Sequence, residues 1–315
     1  MEDLMVVGPG AVVGKEFKRF IITLKDKSII EVPDYKVNVI NIFGNNQITT
    51  QAIDLAMKNG IDINFLSVNG SFKGRISSKV SKNISLRLKQ YSFFQDEEVK
   101  LSLAKVIAKN KIYNQYKLLS YYGNKIEQII DIANKIDDAE SIDEVMGYEG
   151  IGSRIYFESL GKIFPKEFGF KGRSRRPPKD EINALLSLTY QMLLSRIIGQ
   201  LEIQGLDTAI GIMHSIKYGR ESLALDIIEE FRQGFCDFFV LKLINRKQIK
   251  KDDFEVRDDE GYYLNEESLK LYLRNFNEEY KMIENTIREQ VTLLRKVIEV
   301  GDTYKPYTFN KRRWK

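Results

Sequence analysis

The chain has 315 residues, 43% hydrophobic and 30% charged, an ordinary composition for one large or two modest globular cores. Forty-nine Lys and Arg against 44 Asp and Glu leave a net charge of only +5, so the total says little about partners and the distribution says more. A single cysteine, Cys236, excludes an intrachain disulfide framework and a cysteine-rich zinc site. No apolar run approaches the ~20 residues that span a bilayer. The start, Met1-Glu2-Asp3-Leu4, lacks the basic region of a secretory signal. A soluble, cytoplasmic protein with no membrane partner is expected.

Taken in order, residues 1 to about 75 read as β-rich. Phe20–Leu24 and Ser28–Val32 flank Lys25-Asp26-Lys27 and predict a hairpin. Val37–Phe43 predicts a further strand, closed by a turn at Gly44-Asn45-Asn46. Thr49–Lys58 predicts a short helix ending at Asn59-Gly60, followed by a strand over Ile61–Val68 and a turn at Asn69-Gly70. The segment carries no dense polar cluster, which suits a scaffold or a dimer interface. Lys73–Lys82, rich in Ser, Lys and Gly, predicts a linker.

Long helical periods follow. Glu97–Tyr122 and Lys125–Ile136 predict helices, and proline is absent from Asp34 to Phe164. The expected fold is α+β with two domains: a small β-rich N-terminal domain (1–77) and a larger all-α C-terminal catalytic domain (78–315).

The next helix opens on a capping box, Ser141-Ile142-Asp143-Glu144, and then accepts Gly147, Gly150 and Gly152. Each glycine costs about 0.5–1 kcal/mol relative to alanine inside a helix. Such a sequence expects a close approach to the backbone, by another helix or by a ligand or DNA strand reaching Glu149. Glu149 shares a helix face with Gly152, Ser153 and Tyr156. Lys166–Lys179 then holds six basic residues and one acid, including Arg173, Arg175 and Arg176 ahead of Pro177-Pro178. This loop fits a clamp for a nucleic-acid backbone or a solvated linker. Tyr190, on the helix after it, fits a core aromatic or a site residue.

His214, the only histidine, lies near the end of an apolar run (Ile203, Leu206, Ile210, Met213) that predicts a helix. After Tyr218-Gly219-Arg220 a second helix starts near Ser222, with Leu225, Ile228, Phe231 and Phe235 as its buried stripe. Asp226 and Glu229, three residues apart, fall on neighbouring ridges of that helix. Two acids and an imidazole across a helical hairpin suit a divalent-metal half-site. On these residues alone the commoner outcome is a core or cap histidine beside a solvated acidic face. No G-x-S-x-G elbow accompanies His214, which argues against a serine hydrolase. Glu266–Val300 predicts one or two long amphipathic helices. The end, Tyr304 to Lys315, interleaves aromatic and cationic residues, a mixture suited to stacking on nucleic acid or to docking on a partner protein.

Together these residues resemble the CRISPR-associated protein 1 family, the integrase subunit of spacer acquisition. The resemblance is carried by Gly147-Tyr148-Glu149-Gly150 with Tyr156, by Arg175-Arg176-Pro177-Pro178, and by Asn183–Ser187 with Tyr190. It continues through Gly211-Ile212-Met213-His214 and Ser222–Arg232, in the family's order and over essentially the whole chain. It implies Glu149 and His214 as metal ligands, Glu229 as the third, and Asp226 as a further acid near the ion, with either Asp226 or Glu229 the closer. It also implies a homodimer through the N-terminal domain, and a small ferredoxin-like companion protein whose dimer bridges two such dimers.

Two carboxylates and an imidazole make an open site suited to Mg²⁺ or Mn²⁺ rather than a closed zinc cage. Such an ion activates water for endonuclease cleavage, or a DNA 3′-hydroxyl for strand transfer into a CRISPR repeat. Double-stranded and branched DNA (protospacer and repeat) are the expected substrates. Arg154, Arg173, Arg175, Arg176 and Arg232 are expected to bind phosphate, with Tyr156 and Tyr190 positioning it. The rival is a structural DNA-binding subunit without catalysis, against which the presence of both acids and the histidine argues. An imidazole ligand must be unprotonated, so activity is expected to fall on acidification. A profile flat from about pH 5 to 8 would remove His214 from the ligand set.

Overall fold

The computed structural model describes residues 2–7, 9–68, 72–77, 84–174, 177–257 and 261–310. The chain opens with β1 (Glu2–Val6), β2 (Val12–Glu16), β3 (Arg19–Thr23) and β4 (Ile29–Pro33). β5 (Val37–Phe43), β6 (Gln47–Ile48), α1 (Thr50–Lys58), β7 (Asp62–Leu66) and β8 (Phe72–Ile76) follow. The expected hairpin is present: β3 and β4 pair antiparallel, with Phe20 opposite Val32 and Ile22 opposite Ile30. Asp26 Oδ1 closes its turn by accepting from the Ser28 amide (2.9 Å) and hydroxyl (2.6 Å).

Two four-stranded sheets result, ordered β1-β5-β7-β8 and β4-β3-β2-β6. β1, β5 and β7 run parallel, and β8 returns antiparallel. Val13 and Phe20 from one sheet, Ile40, Ile42 and Ile63 from the other, and Ala52 and Ala56 of α1 are all buried in one core. α1 starts where Thr49 Oγ1 accepts from Ala52 N (3.2 Å), and left-handed Gly60 (φ +69°) turns the chain into β7. β8 occupies the first part of the stretch expected as a linker. The rest of that stretch from residue 78, and the Asn69-Gly70 turn, lie outside the described residues.

By contact density the chain divides into one unit of Met1–Val80 with Tyr263–Asn277, and a second of Ser81–Tyr262 with Glu278–Lys315. The segment Tyr263–Asn277, expected in the C-terminal domain, therefore belongs to the N-terminal unit.

The second unit holds α2 (Ile84–Gln95), α3 (Glu97–Tyr121), α4 (Glu127–Lys135), α5 (Ile142–Leu160), α6 (Glu181–Ile203), α7 (Ser222–Ile228) and α8 (Phe238–Asn245). Two short strands, β9 (Phe254–Val256) and β10 (Tyr262–Leu264), follow α8, so the C-terminal half is not all-α as expected. One unbroken 35-residue helix, α9 (Glu266–Val300), covers the predicted amphipathic stretch.

Short polar side chains start these helices. Asp96 caps α3, Asp180 caps α6, and Ser141 Oγ accepts from Glu144 N (3.2 Å) at α5. The Glu144 carboxylate reaches the Glu140 amide (2.8 Å), one residue before the N-cap amide that a capping box would use.

Of the three α5 glycines, Gly152 has the close neighbour. A Cβ there would stand 3.1 Å from Ile112 Cδ1, so α5 lies tight against α3. Gly147 and Gly150 face open space.

The C-terminal tail docks on its own chain. Tyr304, Tyr307 and Phe309 are buried, and Tyr307 stacks on Phe231 with centroids 4.9 Å apart. Their surface role expected from sequence is corrected accordingly; residues 311–315 lie outside the described residues. Asn114 of α3 is the clasp. Its amide nitrogen donates to the Glu230 and Tyr307 carbonyls (both 3.1 Å), and its oxygen accepts from Phe309 N (2.8 Å). Asn114→Ala would take from the buried Phe309 amide the acceptor it has here, at about 1–3 kcal/mol where water cannot replace the bond, while the Tyr307 carbonyl keeps the Asn110 Nδ2 donor (2.7 Å). A lowered melting temperature and faster proteolysis within 302–310 are expected. An unchanged melting temperature and digest would show that the tail is held without Asn114.

Candidate active site

The loop carrying His214 is set by how α6 ends. Gly205 adopts a left-handed conformation (φ +86°), and Leu206 N donates back to the Leu201 carbonyl at 3.0 Å. This is the glycine stop that closes many helices. The helix expected to run on to Met213 is therefore replaced by a loop over residues 206–217, bonded to its surroundings through Leu223 N to the Thr208 carbonyl (2.9 Å) and Ser222 Oγ to the Ser215 carbonyl (2.9 Å).

Asp226 of α7 organises that loop from beneath. Its carboxylate accepts from the amides of Ile212, Met213 (3.1 Å) and His214 (3.0 Å), and lies 2.6 Å from His214 Nδ1. Burial pushes the Asp226 carboxyl above its ordinary range, opposed by the bonds from His214 and the backbone. Nδ1 is engaged by Asp226, so Nε2 remains to meet a ligand. Gly211 completes the fit, since a Cβ there would stand 2.6 Å from the His214 carbonyl oxygen and 2.7 Å from Ser222 Cβ.

Glu229 follows α7 and is only 5% exposed, so these acids do not form the solvated face that was the alternative to a metal site. The helix that was to carry Phe231 and Phe235 breaks at Ile228 and widens into a π-helical turn, Arg232–Asp237. Asp226 and Glu229 then serve different neighbours. Glu229 Oε2 lies 2.6 Å from Lys111 Nζ, and Glu229 Oε1 lies 3.0 Å from Arg232 Nη2. Burial alone would raise this carboxyl; Arg232 and Lys111 outweigh it and hold it at about 2.

The Lys111 ammonium also pairs with Glu149 of α5, whose Oε1 accepts from Ser153 Oγ (2.7 Å). Ser153 accepts in turn from Gln115 Nε2 (3.0 Å). Glu149 and Glu229, 80 residues apart in sequence, thus share one buried cation.

Sequence reasoning missed Lys111, one lysine among several in α3. No local signal sets it apart from Lys105, Lys109 or Lys117 of the same helix, although Asn110, Lys111, Asn114 and Gln115 are all buried.

The two tyrosines expected to position phosphate are interior. Tyr156 is 0% exposed and donates to Asp237 Oδ2 at 2.6 Å. Tyr190 is buried and donates to Asp237 Oδ1. Their rings sit where apolar burial is greatest and their hydroxyls are bound to Asp237, so the expected contact with DNA is corrected. Two of the arginines expected to hold phosphate are engaged internally. The guanidinium groups of Arg173 and Arg232 lie 5.2 and 4.6 Å from the Tyr190 ring centroid. Arg173 also donates to Asn183 Oδ1 (2.8 Å) and Ser187 Oγ (3.0 Å). Arg154 is exposed on α5. Arg175 and Arg176 lie outside the described residues.

Among the described residues, no group of three or more His, Cys, Asp and Glu side chains is arranged as it stands to hold a metal. The donor chemistry nevertheless suits a hard cation. Two carboxylates already converge on an ammonium, and Glu229 Oε2 is buried with no well-aligned hydrogen bond. Among the described residues, no helix is long and apolar enough to cross a membrane.

A β-rich N-terminal unit joined to a helical unit, with carboxylates and an imidazole gathered from α5, α7 and the loop before it, defines an enzyme of the nuclease and integrase class. Residues 4–278 match the model of the CRISPR-associated protein Cas1 family, and the chain belongs to that family. It is 34% identical over 238 residues to the CRISPR-associated endonuclease Cas1 3 of Thermus thermophilus, covering 74% of this chain and 70% of that protein. Three solved structures share the fold. A Cas1 protein from Thermotoga maritima superposes with a TM-score of 0.89 at 23% identity, over 98% of this chain and all of the other. A casposase bound to an integration product gives 0.88 at 23% identity, over 100% and 95% of the two chains. A Cas6-RT-Cas1–Cas2 complex gives 0.86 at 22% identity, over 98% of this chain and 36% of that one.

Asp237 yields a pH prediction. Burial raises its carboxyl to about 6, against the bonds from Tyr156 and Tyr190. An acid whose folded value lies above its unfolded value of 3.8 keeps its proton longer in the folded state, so this group makes stability fall as pH rises between those values. Asp237→Asn removes that dependence. The melting temperature of the variant relative to wild type should shift in the variant's favour as pH rises from about 4 to 6. A difference constant across that window would place the Asp237 carboxyl in its ordinary range.

Proposed function

We propose that this chain cuts and joins DNA during spacer acquisition, as a metal-dependent endonuclease and integrase. One observation carries the reading: half-buried Glu149 and buried Glu229 share one buried cation, beside a histidine whose orientation is fixed by buried Asp226. Structural packing alone gives no reason to bring two like-charged groups together, one of them buried at a desolvation cost of several kcal/mol. In this reading Glu149, His214 and Glu229 hold a Mg²⁺ or Mn²⁺ ion. When bound, the ion supplies Lewis-acid polarisation of the phosphodiester and activation of the attacking hydroxyl.

The chain's own residues do the remaining work. Asp226 keeps Nδ1 engaged, which fixes which imidazole nitrogen faces the site. Arg232 holds Glu229 ionised at every physiological pH. With water as nucleophile the outcome is a cut. With a DNA 3′-hydroxyl, one phosphodiester forms as another breaks, so strands are joined without net hydrolysis.

Likeness to the Cas1–Cas2 complex supports a second Cas protein as partner, here taken as a small ferredoxin-like companion bridging two homodimers. Exposed apolar residues of the N-terminal unit, Phe17 (85%), Tyr35 (71%) and Ile29 (61%), support its role as the homodimer contact.

The test is strand transfer in reverse. The purified protein is given a branched duplex that mimics a half-integrated end, with Mn²⁺, with Mg²⁺ or with EDTA. Wild type should resolve the branch only with metal. Glu149→Ala and His214→Ala should each lose at least about a hundredfold in rate, corresponding to a few kcal/mol of transition-state stabilisation. Binding of the branch without resolution under every metal condition would favour a structural DNA-binding role instead.

A further inference from the structure

We propose that Lys111 is a built-in counter-cation that competes with the metal for Glu149 and Glu229, and so sets the affinity of the site for metal. The inference rests on the reading that these two glutamates are metal ligands. Lys111 is only 7% exposed, on a helix whose other site-facing residues are uncharged. Its ammonium is paired with Glu149 on one side and lies 2.6 Å from Glu229 Oε2 on the other. Glu229 has a second cation in Arg232 at 3.0 Å, whereas the other bonded partner of Glu149 is the neutral Ser153 hydroxyl.

The charges explain the arrangement. Two carboxylates, Lys111 and Arg232 sum to zero, so the metal-free site is neutral without any ion. A divalent ion between the same carboxylates cannot share their facing oxygens with an ammonium, because two cations at that spacing repel strongly in a buried setting. Lys111 must therefore withdraw when metal enters, and the flexible four-carbon stem of lysine permits this. With Lys111 withdrawn, the two carboxylates, Arg232 and the divalent ion sum to about +1, of the sign needed to meet a phosphodiester. Lys111 is a positioning residue in this account. It keeps the carboxylates together before loading and weakens metal binding as the consequence.

Mn²⁺ titration of the full-length protein, read by the loss of the free-ion paramagnetic resonance signal, tests this without any turnover. Lys111→Met should bind Mn²⁺ at least tenfold more tightly than wild type. Its melting temperature should be lower without metal and should rise more than that of wild type when Mn²⁺ is added. Lys111→Arg keeps the charge and adds a forked donor that grips carboxylates in pairs, so it should fold normally and bind Mn²⁺ more weakly than wild type. Glu149→Ala separates the two layers of the reading. Mn²⁺ binding that is lost in Glu149→Ala but unchanged in both Lys111 variants overturns the counter-cation role and leaves the metal site standing. Absence of Mn²⁺ binding in wild type overturns both.

Discussion

A buried carboxylate and a half-buried one brought face to face must be given a cation, and this requirement organises the helical unit. Glu149 and Glu229 arrive on segments far apart in sequence, and the group between them comes from a third element, α3. The three segments must therefore meet within hydrogen-bonding distance of one ammonium. The close approach of α5 to α3 at Gly152, where Ile112 leaves no room for a relaxed side chain, is the packing that permits it. Gly152 sits one turn from Glu149, and Ile112 is next to Lys111. The backbone contact and the ion pair are thus two views of one crossing.

A second constraint acts on His214. A histidine on a loop has no helix to aim it, so the aim must come from hydrogen bonds. Asp226 supplies them by accepting three successive amides and the ring nitrogen with a single carboxylate. Four partners offset much of what it costs to bury this charge, although burial still prevails and keeps the group above its ordinary range. The loop can wrap the carboxylate so closely because Gly211 offers no side chain where it touches Ser222 and the His214 carbonyl.

Much of this was legible in the sequence, and the rest was not for identifiable reasons. Alternation and turn residues sufficed for β3, β4, β5 and α1, where local preference and tertiary packing agree. They failed for the run from Ile203 to Met213, where apolar spacing suggested a helix. The glycine stop at Gly205 overrides that spacing; Leu206 and Met213 are buried in the loop instead, while Ile203 at the helix end is exposed. Asp226, Glu229 and His214 were legible as a cluster because their types are scarce or chemically matched. Lys111 was not, because nothing local distinguishes a buried lysine from a solvated one; only the partner 38 residues away does. Tyr156 and Tyr190 were expected to position phosphate, Tyr190 with a core role left open, because their partner was equally out of sight. Their hydroxyls answer to Asp237, which sits in an apolar run that gave no hint of a buried acid.

Glu229 and Glu230 show how sharply neighbouring residues can differ once the chain is folded. Both are buried and both lose hydration, which by itself raises a carboxyl. Glu229 faces Arg232 and Lys111, and the two cations bring it down to about 2. Glu230 points the other way, to the Tyr304 hydroxyl and the Tyr307 amide (2.8 Å), which are neutral donors of the docked tail. Neutral donors only partly offset burial, and Glu230 stands at about 7. One peptide bond therefore separates a carboxylate fixed in its charged form from one poised between forms. The first is suited to holding a cation. The second clasps the tail, so the segment that presents Glu229 to the site is anchored from behind by its neighbour.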